Sequence, residues 1–254
     1  MRITESTPGA PCWAEHCSGD AKVAQAFYGE LFGWRAETDP RPEAGGYTVM
    51  LLGEDPVAAI TPLAGTGRPT AWTVAIATAD ADTTAATATA AGGAVPMAPT
   101  DVFDEGRYAM LADPAGAVFS VWQARAFRGA ALLGEPGALG WIELATRDVP
   151  GALAFYPELF GWSVSPGESY TQWGLGGRDF GGVLDMGEQF PADLPPYWMP
   201  YFAVADVDLS AERAVALGAE AMLPPTDVPD GPRLAVLRDP LGAVFGIYLA
   251  DTSG

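Results

Sequence analysis

A tryptophan followed two residues later by a glutamate occurs at two points that could carry chemistry: Trp13 with Glu15, and Trp141 with Glu143. A carboxylate beside an indole in a dry site has its charged form disfavoured. Its pKa rises toward the range useful for proton transfer. Glu15 and Glu143 are therefore the candidate catalytic acid/base groups, suited to isomerisation, cyclisation or hydration. The competing reading is a strand carboxylate held by Arg107 or Arg233. On a strand, alternation puts Trp13, Glu15 and Cys17 on one face and Ala14 and His16 on the other. The second copy gives Trp141, Glu143 and Ala145 against Ile142 and Leu144, an apolar pair suited to a packed layer. His16, the single histidine of the chain, falls on that packed side as a core residue with its hydrogen bonds satisfied.

The elements that must position these residues emerge from an internal repeat. WAEHCSGDAKVAQAFYGELFGW begins at Trp13, and WIELATRDVPGALAFYPELFGW begins at Trp141. DPAGAVFSVW from Asp113 matches DPLGAVFGIY from Asp239, and AWTVAIATADAD from Ala71 matches YWMPYFAVADVD from Tyr197. Two modules follow, over 8–125 and 136–250, joined by a linker over 126–135. In each, a strand leads to an aspartate (Asp20 or Asp148) that caps an amphipathic helix, and Gly33 or Gly161 ends it. Pro157 predicts a kink or early break in the second copy of this helix. In the first module further strands are expected near 46–52, 57–62, 70–78, 108–113 and 117–123, with a second helix over 80–91. That makes six readable strands, where a doubled βαβββ pattern needs eight. The predicted fold class is α+β: tandem modules of paired βαβββ units, forming curved mixed sheets with helices on the outer face and a concave cavity.

Carrying the alternation through the repeat puts Ser120 and Trp122 on the cavity face, matched by Gly246 and Tyr248. Thr73 and Ala75 join them, matched by Met199 and Tyr201. The candidate ligand contacts are Trp13, Trp141, Trp122, Tyr248, Ser120, Thr73 and Tyr201, with Asp104, Arg107 and Tyr108 at the rim. Indole faces suit flat, electron-rich or cationic molecules. If only one pocket works, the one built on Trp13 and Glu15 is the expected site.

Composition bounds the partners. Thirteen basic and 32 acidic residues give a net charge of −19, which repels nucleic acid and anionic lipid. No apolar run is long enough to span a membrane and no secretory signal is present, so a cytoplasmic protein is expected. Cys12 and Cys17 lie too close on one strand to bridge and read as free thiols. No phosphate loop or dinucleotide fingerprint occurs, and no cofactor is expected. The fusion already pairs two modules, which suits a monomer; a homodimer is the alternative.

The strand–Asp–FY-x-ELFGW opening and DP-x-GAVF closing of each module resemble the vicinal oxygen chelate (glyoxalase/bleomycin-resistance/dioxygenase) superfamily, over almost the whole chain. The doubled form is similar to tandem two-module actinobacterial members, some of them linked to polyketide antibiotic pathways. Metal-dependent members carry His or Glu ligands at positions that the resemblance maps to Trp13, about Thr73, and Ser120. In the second module the same positions are Trp141, about Met199, and Gly246. These side chains do not make a divalent-ion ligand set. The resemblance therefore implies a metal-independent protein that binds a planar aromatic small molecule, as a cofactor-free acid/base enzyme of polyketide or antibiotic tailoring. The alternatives are a non-catalytic antibiotic-sequestering protein, or a metal-dependent lyase or dioxygenase with a carboxylate site.

Overall fold

The computed structural model describes residues 1–63, 69–167, 170–188, 190–229 and 231–250. Strand β1 (Pro11–Ser18) leads into helix α1 (Ala21–Phe32). The Asp20 carboxylate accepts hydrogen bonds from the Lys22 and Val23 amides, satisfying donors that a helix start leaves free. Gly33, at φ 74°, closes the helix in the left-handed region. The second copy repeats this with β9 (Leu139–Thr146), Asp148, α3 (Val149–Phe160) and Gly161. Contrary to expectation, α3 does not break early at Pro157. The proline stands in the last turn, where its missing amide removes one bond. The Gly161 amide still donates to the Pro157 carbonyl at 2.8 Å, and the Phe160 and Trp162 rings stack 5.2 Å apart over the helix end.

The first module continues with β2 (Arg35–Thr38), β3 (Thr48–Leu52), β4 (Asp55–Pro62), β5 (Ala71–Ala77), α2 (Ala81–Ala90), β6 (Ala94–Val102), β7 (Gly106–Ala112) and β8 (Val118–Ala124). The second has β10 (Ser163–Pro166), β11 (Thr171–Leu175), β12 (Arg178–Asp185), β13 (Tyr197–Val204), α4 (Val207–Ala216), β14 (Glu220–Asp227), β15 (Arg233–Arg238) and β16 (Val244–Leu249). Each module is one eight-stranded mixed sheet, in the orders β2-β3-β4-β1-β5-β8-β7-β6 and β10-β11-β12-β9-β13-β16-β15-β14. The strands that complete the doubled βαβββ pattern are β2 and β6, and their counterparts β10 and β14. All four are sheet edges.

The helix-bearing faces of the two sheets meet in one core, with α1 beside α4 and α2 beside α3. The repeated FY-x-ELFGW block supplies much of this junction. The Trp34 indole donates to the Gly137 carbonyl at 2.7 Å, and reciprocally Trp162 donates to Gly9 at 2.6 Å. Each carbonyl belongs to the segment just before the other module's first strand. The Tyr28 phenol, itself accepting from the Trp72 indole, donates to Asp239 at 2.9 Å across the junction. Tyr156, accepting from Trp198, donates to Asp113 at 3.1 Å. His16 is fully buried here, as its strand register requires, with Nε2 2.7 Å from the Asp239 carboxylate. Its hydrogen bonding is only half satisfied, because Nδ1 has no partner among the described residues. Both cysteines are free thiols. Among the described residues no helix is long and apolar enough to cross a membrane.

Candidate functional site: two concave faces

The sheet faces turned away from the common core carry the Trp–Glu pairs. In the first, Glu15 lies opposite Thr73 on β5 and Ala59 on β4, and Trp13 lies opposite Ala75. Ala75 in turn faces Ser120, and Trp122 faces Tyr108. The pairings thus gather Trp13, Glu15, Thr73, Ser120, Trp122 and Tyr108 on one face. The Ser120 hydroxyl is spent on the Val74 carbonyl at 3.2 Å and is buried.

Arg107 does not belong to this face. Alternation along β7 turns Arg107 to the helix side, where its guanidinium binds Asp82 (2.7 and 2.9 Å) and Asp101 (2.9 Å). Arg233 is held the same way by Asp208 and Asp227. Neither arginine pairs with Glu15 or Glu143. Asp104 is exposed in the β6–β7 turn.

The linker covers the tryptophan end of the first face. The Phe127 ring stands edge-on to Trp13 at 5.0 Å and to Trp122 at 6.1 Å. The Trp122 indole donates to the Phe127 carbonyl at 2.9 Å, and the Ala130 amide donates to the Cys12 carbonyl at 2.8 Å. Trp13 is left 5% exposed and Trp122 9%. The expected tryptophan-lined pocket of this module is thus filled from within. Glu15 lies at the open end, half-buried, and accepts from the Thr61 hydroxyl at 2.8 Å. Burial raises its pKa and the Thr61 bond works against the rise. Phe127→Ala is expected to uncover both indoles and to cost about 2 kcal/mol, below the usual range for aromatic truncation because the ring is half-buried. Denaturant unfolding and tryptophan quenching by acrylamide check both parts.

The second face has the same frame with different furniture. Trp141 lies opposite Tyr201, Tyr201 opposite Gly246, and Glu143 opposite Met199 on one side and Gly182 on the other. Leu234 brings in Tyr248 from β16. Trp141, Tyr170, Tyr197 and Tyr248 are half-buried rather than covered. The Trp141 indole donates to the Tyr170 phenol at 3.0 Å, and the Tyr201 phenol donates to Glu143 Oε1 at 3.0 Å. Burial pushes the Glu143 pKa up to about 6, against the opposing hydrogen bonds from Tyr170 and Tyr201.

Strand alternation does not mark Tyr170 or Tyr197 as site residues, but for Tyr170 the sequence holds a second signal. A Cβ at Gly246 would stand 2.0 Å from the Tyr201 ring, and one at Gly182 would stand 2.3 Å from the Tyr170 ring. The rings lie where the first module has Ser120 and Ala59 in the facing strand. A glycine beside an aromatic on the neighbouring strand marks a ring laid across the sheet. Gly246→Ala is expected to displace Tyr201 from Glu143, costing about 1–3 kcal/mol through overpacking. Loss of one donor should also move the Glu143 titration upward, which NMR of 13C-labelled glutamate reads directly.

Among the described residues, no three His, Cys, Asp or Glu side chains converge to hold a metal ion.

The Glyoxalase/Bleomycin resistance protein/Dioxygenase superfamily model matches residues 13–121, and the Glyoxalase-like domain model matches residues 141–248. The chain is 38% identical over 263 residues to the anthracycline biosynthesis protein DnrV of Streptomyces peucetius, covering 96% of this chain and 94% of that protein. It is 36% identical over 253 residues to the putative glyoxylase CFP32 of Mycobacterium tuberculosis, covering 96% of each. In fold it is similar to the Mn(II)-bound glyoxalase from Novosphingobium aromaticivorans, with a TM-score of 0.66 at 18% identity over 98% of this chain and 83% of that one. It is also similar to the 2,3-dioxygenase LapB from Pseudomonas sp. KL28, with a TM-score of 0.67 at 11% identity over 97% and 93%. With both modules matched and full-length relatives above a third identical, the chain belongs to the glyoxalase/bleomycin resistance protein/dioxygenase superfamily, as a tandem of two modules.

Proposed function

We propose that this chain is a metal-independent, cofactor-free member of the superfamily that binds a planar aromatic natural product on its second concave face, with Glu143 as the proton-moving group. The observation that carries this reading is Glu143 itself: a buried carboxylate tuned to about 6, ringed by phenols and an indole on an uncovered face. At neutral pH it is mostly ionised and serves as a base. Trp141, Tyr170, Tyr197 and Tyr248 offer π-surface against which a flat substrate stacks. The kinship with an anthracycline biosynthesis protein supports a polyketide-type ligand. The first face, with Phe127 seated between its indoles, is assigned a structural part, reversing the expectation that Trp13 and Glu15 form the working pair.

The divalent ion of the Mn(II)-bound glyoxalase that shares this fold does not fit the residues present. The side chains at Trp13, Thr73 and Ser120, and at Trp141, Met199 and Gly246, offer no imidazole or carboxylate, and among the described residues neither Glu15, which has only the Cys17 sulfur 4.0 Å away, nor Glu143 gains the further ligands that a divalent ion needs.

A second reading, ligand sequestration without turnover, is favoured by one feature. The Glu143 carboxylate already accepts from two phenols, which suits positioning as well as proton transfer. Incubation with hydroxylated anthraquinones, followed by mass analysis, separates the two. Conversion that persists in chelator-treated protein supports the enzyme; tight binding with every compound recovered unchanged supports sequestration. One equivalent of tightly bound Fe, Mn, Ni or Zn in protein purified without chelator would overturn metal independence.

A further inference from the structure

The second face holds a buried negative charge that no basic side chain among the described residues answers. Among the described residues, the groups acting on Glu143 are the phenols of Tyr170 and Tyr201, with Tyr197 also within electrostatic reach. Each element packed around it contributes an uncharged group: Trp141 from β9, Gly182 from β12, Met199 and Tyr201 from β13, and Tyr170 ahead of β11. Arg233, on neighbouring β15, is turned away and doubly bound to Asp208 and Asp227. The chain as a whole carries a net charge of −19, so its summed field attracts cations.

Electron-rich ring faces around an unanswered carboxylate are the arrangement that recognises a cation. The ring quadrupole attracts positive charge, and a poorly solvated carboxylate strengthens the attraction. Resting on the reading above that this face binds a planar aromatic ligand, we propose that the preferred ligand carries a positively charged nitrogen, an amine or quaternary ammonium, seated over the Trp141–Tyr170–Tyr197 rings within reach of the Glu143 charge. The ligand, rather than an arginine, supplies the counter-charge. Anionic aromatics are disfavoured at the same place.

Three bicyclic aromatic probes test this by calorimetry: the isosteric pair 1-methylquinolinium (cation) and 1-methylnaphthalene (neutral), and the slightly larger 1-naphthoate (anion). At pH 8 the cation is expected to bind about tenfold tighter than the neutral probe, with the anion weakest. At pH 5, where Glu143 is largely protonated, the preference should shrink severalfold. Glu143→Gln should abolish it while 1-methylnaphthalene still binds. Binding of the neutral probe with no preference for the cation at pH 8, or with naphthoate preferred, overturns the cation inference and leaves the aromatic face intact. Failure of all three probes to bind overturns both. The pH 8 to pH 5 comparison on the unmodified protein stands even where the variant does not fold.

Discussion

Glu143→Gln is expected to lower turnover of an aromatic substrate about 10²–10⁴-fold, the usual weight of a general base. It is also expected to raise stability at pH 8 by up to about 2 kcal/mol. The second effect follows from linkage. The ordinary value for the group is 4.5 and the folded value is about 6, so the folded state holds the proton more tightly than the unfolded state. The resulting penalty is absent below 4.5 and fully present above about 6. Glutamine keeps the shape and removes the charge that burial penalises. Loss of turnover with a gain in denaturation midpoint at pH 8, and no gain at pH 4, separates a functional carboxylate from one that merely holds the strand together. In the unmodified protein, kcat/KM should rise with pH through about 6.

The largest stability effect is expected at the module junction. Asp239 gathers the His16 ring at 2.7 Å, the Tyr28 phenol at 2.9 Å, and the Leu241 and Ala243 amides, each at 2.9 Å. Asp239→Ala strands a buried imidazole and a buried phenol together. A cost of about 3–5 kcal/mol follows, as for breaking a buried pair by removing one partner. Burial works to raise the Asp239 pKa, and the His16, Tyr28 and Ala243 bonds outweigh it and hold it below 3.8. Its contribution to stability is therefore complete above 3.8 and is lost as pH falls through the lower folded value. Asp113, its counterpart, has no histidine because Leu144 stands where His16 does. Burial dominates there and its pKa is raised, so its charged form costs stability once pH passes upward from 3.8. Unfolding followed from pH 2 to pH 5 in Asp239→Ala and Asp113→Ala should show slopes of opposite sign relative to the parent protein.

The fold was legible because the residues that repeat have strong local signatures: a capping aspartate, an apolar helical face and a closing glycine. Much of that repeated block turns out to build the junction between modules. Tyr28, Trp34, Tyr156 and Trp162 all bond across it or brace it. The edge strands β2 and β6 carry no readable strand signal, for physical reasons. RAET in β2 is exposed at every position and has no apolar alternation, and β6 is broken by Pro96 and Pro99 and carries register shifts against β7. Strand alternation correctly put Trp13, Glu15, Trp141 and Glu143 on the faces away from the helices. It could not reveal that Phe127, from a segment read as a mere linker, would fill one face. Nor could it show which glutamate would be tuned by phenols. Tyr170 lies before β11, and its ring lies across Gly182 beside Glu143. A preference between the modules depends on these long-range contacts, which strand alternation does not carry.

The claim that the second face is the working one is tested most directly by the indole resonances of protein labelled with 15N-tryptophan, assigned through Trp141→Phe and Trp13→Phe. On titration with 1-methylnaphthalene, the Trp141 indole N–H, bonded to Tyr170, should shift in a saturable way while the Trp13 and Trp122 signals stay in place. A saturable shift at Trp13 and Trp122 with Trp141 unmoved would contradict the account and return the site to the first module.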